Sequence, residues 1–83
     1  MPNPIRIVVA EDEAIIRLDL VETLQEEGYI VVADTGRGDA AIELVREFKP
    51  DVAIFDIKMP GLDGLAAAQV VSAEKICPVV MLT

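Results

Sequence analysis

The chain has 83 residues, 53% of them apolar, and carries 15 Asp and Glu against 7 Lys and Arg for a net charge of −8. That length and hydrophobic content provide for one core, and the acidity excludes a reader of phosphate backbones, which draws its affinity from clustered Lys and Arg. A single cysteine allows no internal disulfide and no apolar run approaches the ~18 residues that cross a bilayer, so the segment is expected to be cytoplasmic, with neither nucleic acid nor membrane as partner.

The first strand is predicted over Ile5 to Ala10, a nearly continuous apolar run of the kind expected where both faces of a parallel sheet are covered. It ends in Glu11, Asp12 and Glu13. A helix comes next, from about Glu13 to Glu27, and stops at Gly28, which suits the left-handed position after a helix. Ile16, Leu20 and Leu24 repeat at i+4 and would face the sheet. Ile15, Leu18 and Val21 form a second stripe, which reads equally as a docking surface or as packing for a terminal helix.

The second strand is predicted over Ile30 to Ala33. The second helix spans about Gly38 to Phe48, with Ala41, Leu44, Val45 and Phe48 as its inner face and Pro50 just beyond. The third strand, Val52 to Phe55, runs into Asp56, where a carboxylate ending an apolar run is costly to desolvate without compensation. The third helix spans about Gly64 to Glu74, with Leu65, Ala68 and Val71 as its inner line. Cys77, beside Pro78, is expected to be a small buried hydrophobe. A fourth strand, Val79 to Leu82, leads to Thr83.

The order βαβαβαβ, with connections of a few residues, implies right-handed crossovers and a doubly wound parallel α/β sheet. Ligands of such sheets bind beyond the carboxyl ends of the strands. There stand Glu11 and Asp12 after strand one, Asp56 after strand three and Thr83 after strand four. If strands one and three are neighbours, three carboxylates share a crevice and repel one another unless a cation or a proton intervenes. The chain has no histidine, so an all-oxygen site suits Mg²⁺ better than zinc. Taken singly, each carboxylate is also explained as a solvated helix cap.

Glu11-Asp12, the run Asp56-Ile57-Lys58-Met59-Pro60-Gly61 with Asp63-Gly64 after it, and Thr83 together resemble the receiver domain of two-component response regulators. The stretch Glu11 to Tyr29, with Lys58 where many receivers have asparagine, is most similar to receivers joined to an ANTAR antitermination domain. The resemblance implies a flavodoxin-like, CheY-like fold with strand order 2-1-3-4. It makes Asp56 the phosphoacceptor, Glu11 and Asp12 the acidic pair that holds Mg²⁺, with Asp12 the more direct ligand, and the Lys58 backbone carbonyl a further metal ligand. The Thr83 hydroxyl becomes the switch group that moves to the phosphoryl oxygen. Met59 and Pro60 shape the adjoining loop.

Complete receivers continue with a helix, a fifth strand ending in a phosphate-binding lysine, and a fifth helix. Residues 1–83 are therefore expected to form an incomplete receiver whose fourth strand is an edge open to pairing, by a homodimer or a swapped assembly. The implied phosphodonor is a sensor histidine kinase or a phosphotransfer protein, and the implied output is conformational, with antitermination as one form of it. A Mg²⁺-dependent phosphatase or phosphotransferase using Asp56 as nucleophile is the alternative. Enzymes of the haloacid-dehalogenase kind want a second aspartate two residues on, where Lys58 stands.

Overall fold

The computed structural model describes residues 3–82. Four parallel strands, β1 (Arg6–Ala10), β2 (Ile30–Thr35), β3 (Val52–Asp56) and β4 (Val79–Leu82), lie in the order β2-β1-β3-β4. Three helices connect them: α1 (Ala14–Glu26), α2 (Gly38–Phe48) and α3 (Gly64–Ala73). This is the doubly wound parallel sheet in the expected order 2-1-3-4. Strand β2 runs two residues further than predicted, to Thr35, and β3 takes in Asp56 itself.

Alternation along β1 divides the core. Val8 and Ala10 point to the side of α2 and α3, where they meet Ala41, Ile42, Val45, Ala53, Phe55, Ala67 and Val71 in one buried cluster. Ile7 and Val9 are equally buried on the other face, the side of α1. The ladder between β1 and β2 slips once: Ile7 pairs with Val31 but Val8 pairs with Ala33. Val32 is the extra residue, and both Val32 and Ala33 pack against the central cluster. Asp34 thereby falls opposite Val9, on the side of α1.

The inner faces of two helices differ from expectation. No residue of α1 is fully buried, and its half-buried line is Arg17, Leu20, Val21 and Leu24, the spacing i, i+3, i+4, i+7. Ile16, expected to face the sheet, is 54% exposed, and Val21, assigned to the outer stripe, faces inward. Among the described residues helix α1 packs chiefly on β2 and β1, and Ile16, on its other flank, lines the open cleft that Leu82 also borders. In α3 the buried residues are Gly64, Ala67 and Val71, whereas Leu65 is 52% exposed. Small side chains let α3 lie close to the sheet, and a leucine on that line would hold it away. Helix α2 matches expectation at Ala41 and Val45, with Leu44 and Phe48 half-buried and Ile42 buried in addition. Cys77 is half-buried rather than buried, and burial raises its thiol pKa.

Helix α1 closes as foreseen at Gly28, φ +93°, where the Gly28 N–H donates to the Gln25 carbonyl and the Tyr29 N–H to the Leu24 carbonyl, each at 3.1 Å. Helix α3 begins at Asp63, whose side chain accepts the Ala66 N–H at 2.8 Å.

Candidate functional site

Strands β1 and β3 are neighbours, and their register pairs Ala10 with Phe55. The next residue of each, Glu11 and Asp56, therefore emerge side by side at the carboxyl end of the sheet, between its two central strands. Carboxylate oxygens of Glu11, Asp12 and Asp56 come within 4.8 Å of one another. The crevice inferred from sequence is present, and these three expected residues do meet in it.

The three differ in setting. Glu11 is 5% exposed, Asp56 is half-buried and Asp12 is exposed. The Glu11 side chain accepts the Glu13 N–H at 3.0 Å, and its backbone N–H donates to the Thr35 carbonyl at 3.0 Å. Burial pushes the Glu11 carboxyl above its ordinary value, and the neighbouring charges of Asp56 and Asp12 push it the same way, against the opposing bond from Glu13. One oxygen of Asp56 accepts the Ile57 N–H at 2.9 Å.

The loop after β3 is pinned from both ends. The Ile57 carbonyl accepts the Gly64 N–H at 2.6 Å, and the Pro60 carbonyl accepts the Gly38 N–H at 3.1 Å. A Cβ at Gly64 would lie 1.8 Å from the Asp56 carbonyl oxygen, and one at Gly38 would lie 1.7 Å from the Leu62 carbonyl oxygen. Only glycine permits these approaches. Met59 is buried in the core and Pro60 is exposed, so of the two only Met59 is held by packing. Lys58 is exposed on the wall of a cleft of about 680 Å³ that also includes Glu11, Asp12, Asp56, Leu20 and Leu82. Thr83 lies outside the described residues; Leu82, before it, is in register with Asp56.

Sequence reasoning missed Arg17. Its guanidinium donates from Nη1 to the Glu11 carbonyl at 2.7 Å and pairs through Nε with Asp34 at 3.2 Å. The available signal was its spacing of three and four residues from Leu20 and Val21, which places it on the inner line of α1.

The donor set fits a hard divalent cation. Its side-chain donors are all carboxylate oxygens, one of them raised in pKa by its burial and, to a lesser extent, by the neighbouring carboxylates, an arrangement that a Mg²⁺ ion would relieve. No helix among the described residues is long and apolar enough to cross a membrane.

The family described as the response regulator receiver domain matches residues 7–83. The transcriptional regulatory protein PdtaR of Mycobacterium tuberculosis (strain CDC 1551 / Oshkosh) is 50% identical over 80 residues, which is 96% of this chain and 39% of that protein. A protein-glutamate methylesterase/protein-glutamine glutaminase of Caldanaerobacter subterraneus subsp. tengcongensis is 39% identical over 84 residues, 100% of this chain and 23% of that protein. Among solved structures, the signal receiver domain of the putative response regulator NarL from Mycobacterium tuberculosis superposes with a TM-score of 0.91 at 35% identity, over 96% of this chain and 66% of that one. The response regulator domain of Thermotoga maritima CheB superposes with a TM-score of 0.90 at 32% identity, over 95% of this chain and 60% of that one. The chain thus spans well under half the length of these two curated relatives.

Proposed function

The chain belongs to the response regulator receiver family, and from that membership we propose that it takes a phosphoryl group onto Asp56 from the phosphohistidine of a sensor kinase or phosphotransfer protein. The observation that carries this reading is the convergence of Asp56 with Glu11 and Asp12 within 4.8 Å at the carboxyl end of the two central strands.

In the proposed transfer an Asp56 carboxylate oxygen attacks phosphorus in line, the P–N bond to the donor imidazole breaks, and an acyl phosphate forms. The Ile57 N–H, bonded to one Asp56 oxygen at 2.9 Å, fixes the carboxylate and leaves its second oxygen for attack. Mg²⁺ would be held by Glu11, Asp12, Asp56 and the Lys58 backbone carbonyl, and when bound it supplies positive charge to the transferring oxygens. Thr83 is the proposed switch hydroxyl that couples the phosphoryl group to conformation. Hydrolysis of the acyl phosphate resets the domain, so the chain acts as a signalling module that catalyses only its own phosphorylation and dephosphorylation.

The proposed setting is the cytoplasm, and the proposed output belongs to a longer protein, with antitermination the form suggested by the likeness to ANTAR-linked receivers. The proposed contact for the donor protein is the outer stripe of α1, where Ile15 is 84% and Leu18 59% exposed.

A polypeptide beginning with these 83 residues and completed by the rest of a receiver is the material for the test. Incubated with acetyl phosphate and Mg²⁺, it should gain one phosphoryl mass on Asp56, and Asp56→Asn should abolish the gain. Undiminished labelling of Asp56→Asn defeats the assignment. Ile15→Ser with Leu18→Ser should slow transfer from the donor protein and spare labelling by acetyl phosphate.

A further inference from the structure

Arg17 stands where an apolar residue would be expected. It shares the inner line of α1 with Leu20, Val21 and Leu24, and its side chain is 24% exposed. Drawing a guanidinium out of water is unfavourable unless its donors are used. They are used on two other elements: Nη1 donates to the Glu11 carbonyl at 2.7 Å, and Nε pairs with Asp34 of β2 at 3.2 Å.

Two features of the backbone serve this arrangement. The slip in the β1–β2 ladder turns Asp34 to the side of α1, where Arg17 meets it. Gly36 leaves the space the guanidinium occupies, since a Cβ there would lie 2.7 Å from Arg17 Nη1 and 3.6 Å from the Glu11 carbonyl oxygen.

Glu11 is consequently tied at three points: its N–H to Thr35, its side chain to the Glu13 N–H and its carbonyl to Arg17. The turn so fixed presents Glu11 and Asp12 toward Asp56, against the mutual repulsion of carboxylates within 4.8 Å. We propose that Arg17, anchored on Asp34, is a positioning residue that holds the Glu11-Asp12 turn in the geometry that binds a divalent cation. This inference rests on reading the crevice as a Mg²⁺ site.

The test is a Mg²⁺ titration monitored by backbone amide shifts, with thermal unfolding measured in parallel, on the unsubstituted protein, Arg17→Met, Arg17→Lys and Gly36→Ala. Gly36→Ala keeps every charge and displaces only the guanidinium. Arg17→Met and Gly36→Ala should each weaken Mg²⁺ binding ~10-fold, the scale on which groups that orient metal ligands act. Arg17→Lys can pair with Asp34 but lacks the fork to serve Glu11 as well, so its affinity should fall between.

A residue that merely joins helix to sheet would lower the unfolding midpoint and leave affinity alone. Unchanged affinity in folded Gly36→Ala, or in folded Arg17→Met, overturns the proposal whatever happens to the midpoint. Absence of any Mg²⁺ response in the unsubstituted protein overturns the reading of the crevice, and the proposal with it.

Discussion

Glu11 carries its carboxylate where water hardly reaches and two other carboxylates do. Its pKa is raised in the folded chain, so folding favours the protonated form. The associated stability is present below the ordinary value of 4.5 and is lost as pH rises through the higher folded value. Asp39 and Glu74, whose pKa values are lowered by Arg37 and Arg46, act in the opposite sense, so the effect of Glu11 must be read as a difference between variants. Glu11→Gln keeps an oxygen for the Glu13 N–H and removes the charge. In Mg²⁺-free buffer its unfolding midpoint should exceed that of the unsubstituted protein at pH 7, and the gap should close as pH falls toward 4. Added Mg²⁺ should raise the midpoint of the unsubstituted protein more than that of Glu11→Gln. At this scale the sequence was informative about Glu11, Asp12 and Asp56, because residues that end strands of one parallel sheet must share an edge. It was silent on their different burial and on Arg17, whose partners are a backbone carbonyl and a residue on another strand.

Helices α2 and α3 both begin with a glycine pressed against a distant backbone carbonyl, and these contacts set the loop beside Asp56. Gly64→Ala would force a methyl group to within 1.8 Å of the Asp56 carbonyl oxygen, an atom that can move only with the strand. The expected cost is about 1–3 kcal/mol of stability, and Mg²⁺ binding should weaken because Asp56 is displaced. Chemical denaturation and the amide-shift titration measure the two effects. Ala at Gly28 meets nothing within 4 Å and suffers only its φ of +93°, so it should lose stability without losing Mg²⁺ affinity. The glycine at Gly28 was legible from local chemistry, since it sits just past a helix. The reason for Gly64 was not, because the atom it avoids belongs to another element. Helix α1 shows the same limit: two apolar lines fit its sequence, and burial is too shallow for periodicity to choose between Ile16 and Val21. In α3 the run of Ala and Val offers little contrast between faces, so the larger Leu65 drew the inner line to the wrong side.

Across the whole molecule, α1 covers only half of its face of the sheet. Ile54, Val80 and Leu82 share that face by register, with Val80 50% exposed, and Ile16 borders the same uncovered area. Strand β4 is an edge whose residues Val79 to Leu82 carry no charge. Such surfaces recruit other chains. A polypeptide of residues 1–83 by itself should show an average mass that rises with concentration in sedimentation equilibrium, with the helical circular dichroism signal rising in step. A fully folded monomer across the whole concentration series would contradict this. On the opposite edge, β2 carries one extra residue. Each strand residue added or removed exchanges the two faces of the sheet for every later position, until the chain leaves the ladder. Val32 is the exception: it has no partner in the ladder, so deleting it would straighten β2 and leave Ala33 opposite Val8 and Asp34 opposite Val9, with the carboxylate still on the side of Arg17. Val32→Ala would change only packing. The bulge at position 32 is thus slack that the strand can lose while the pair of Asp34 with Arg17 stays in place.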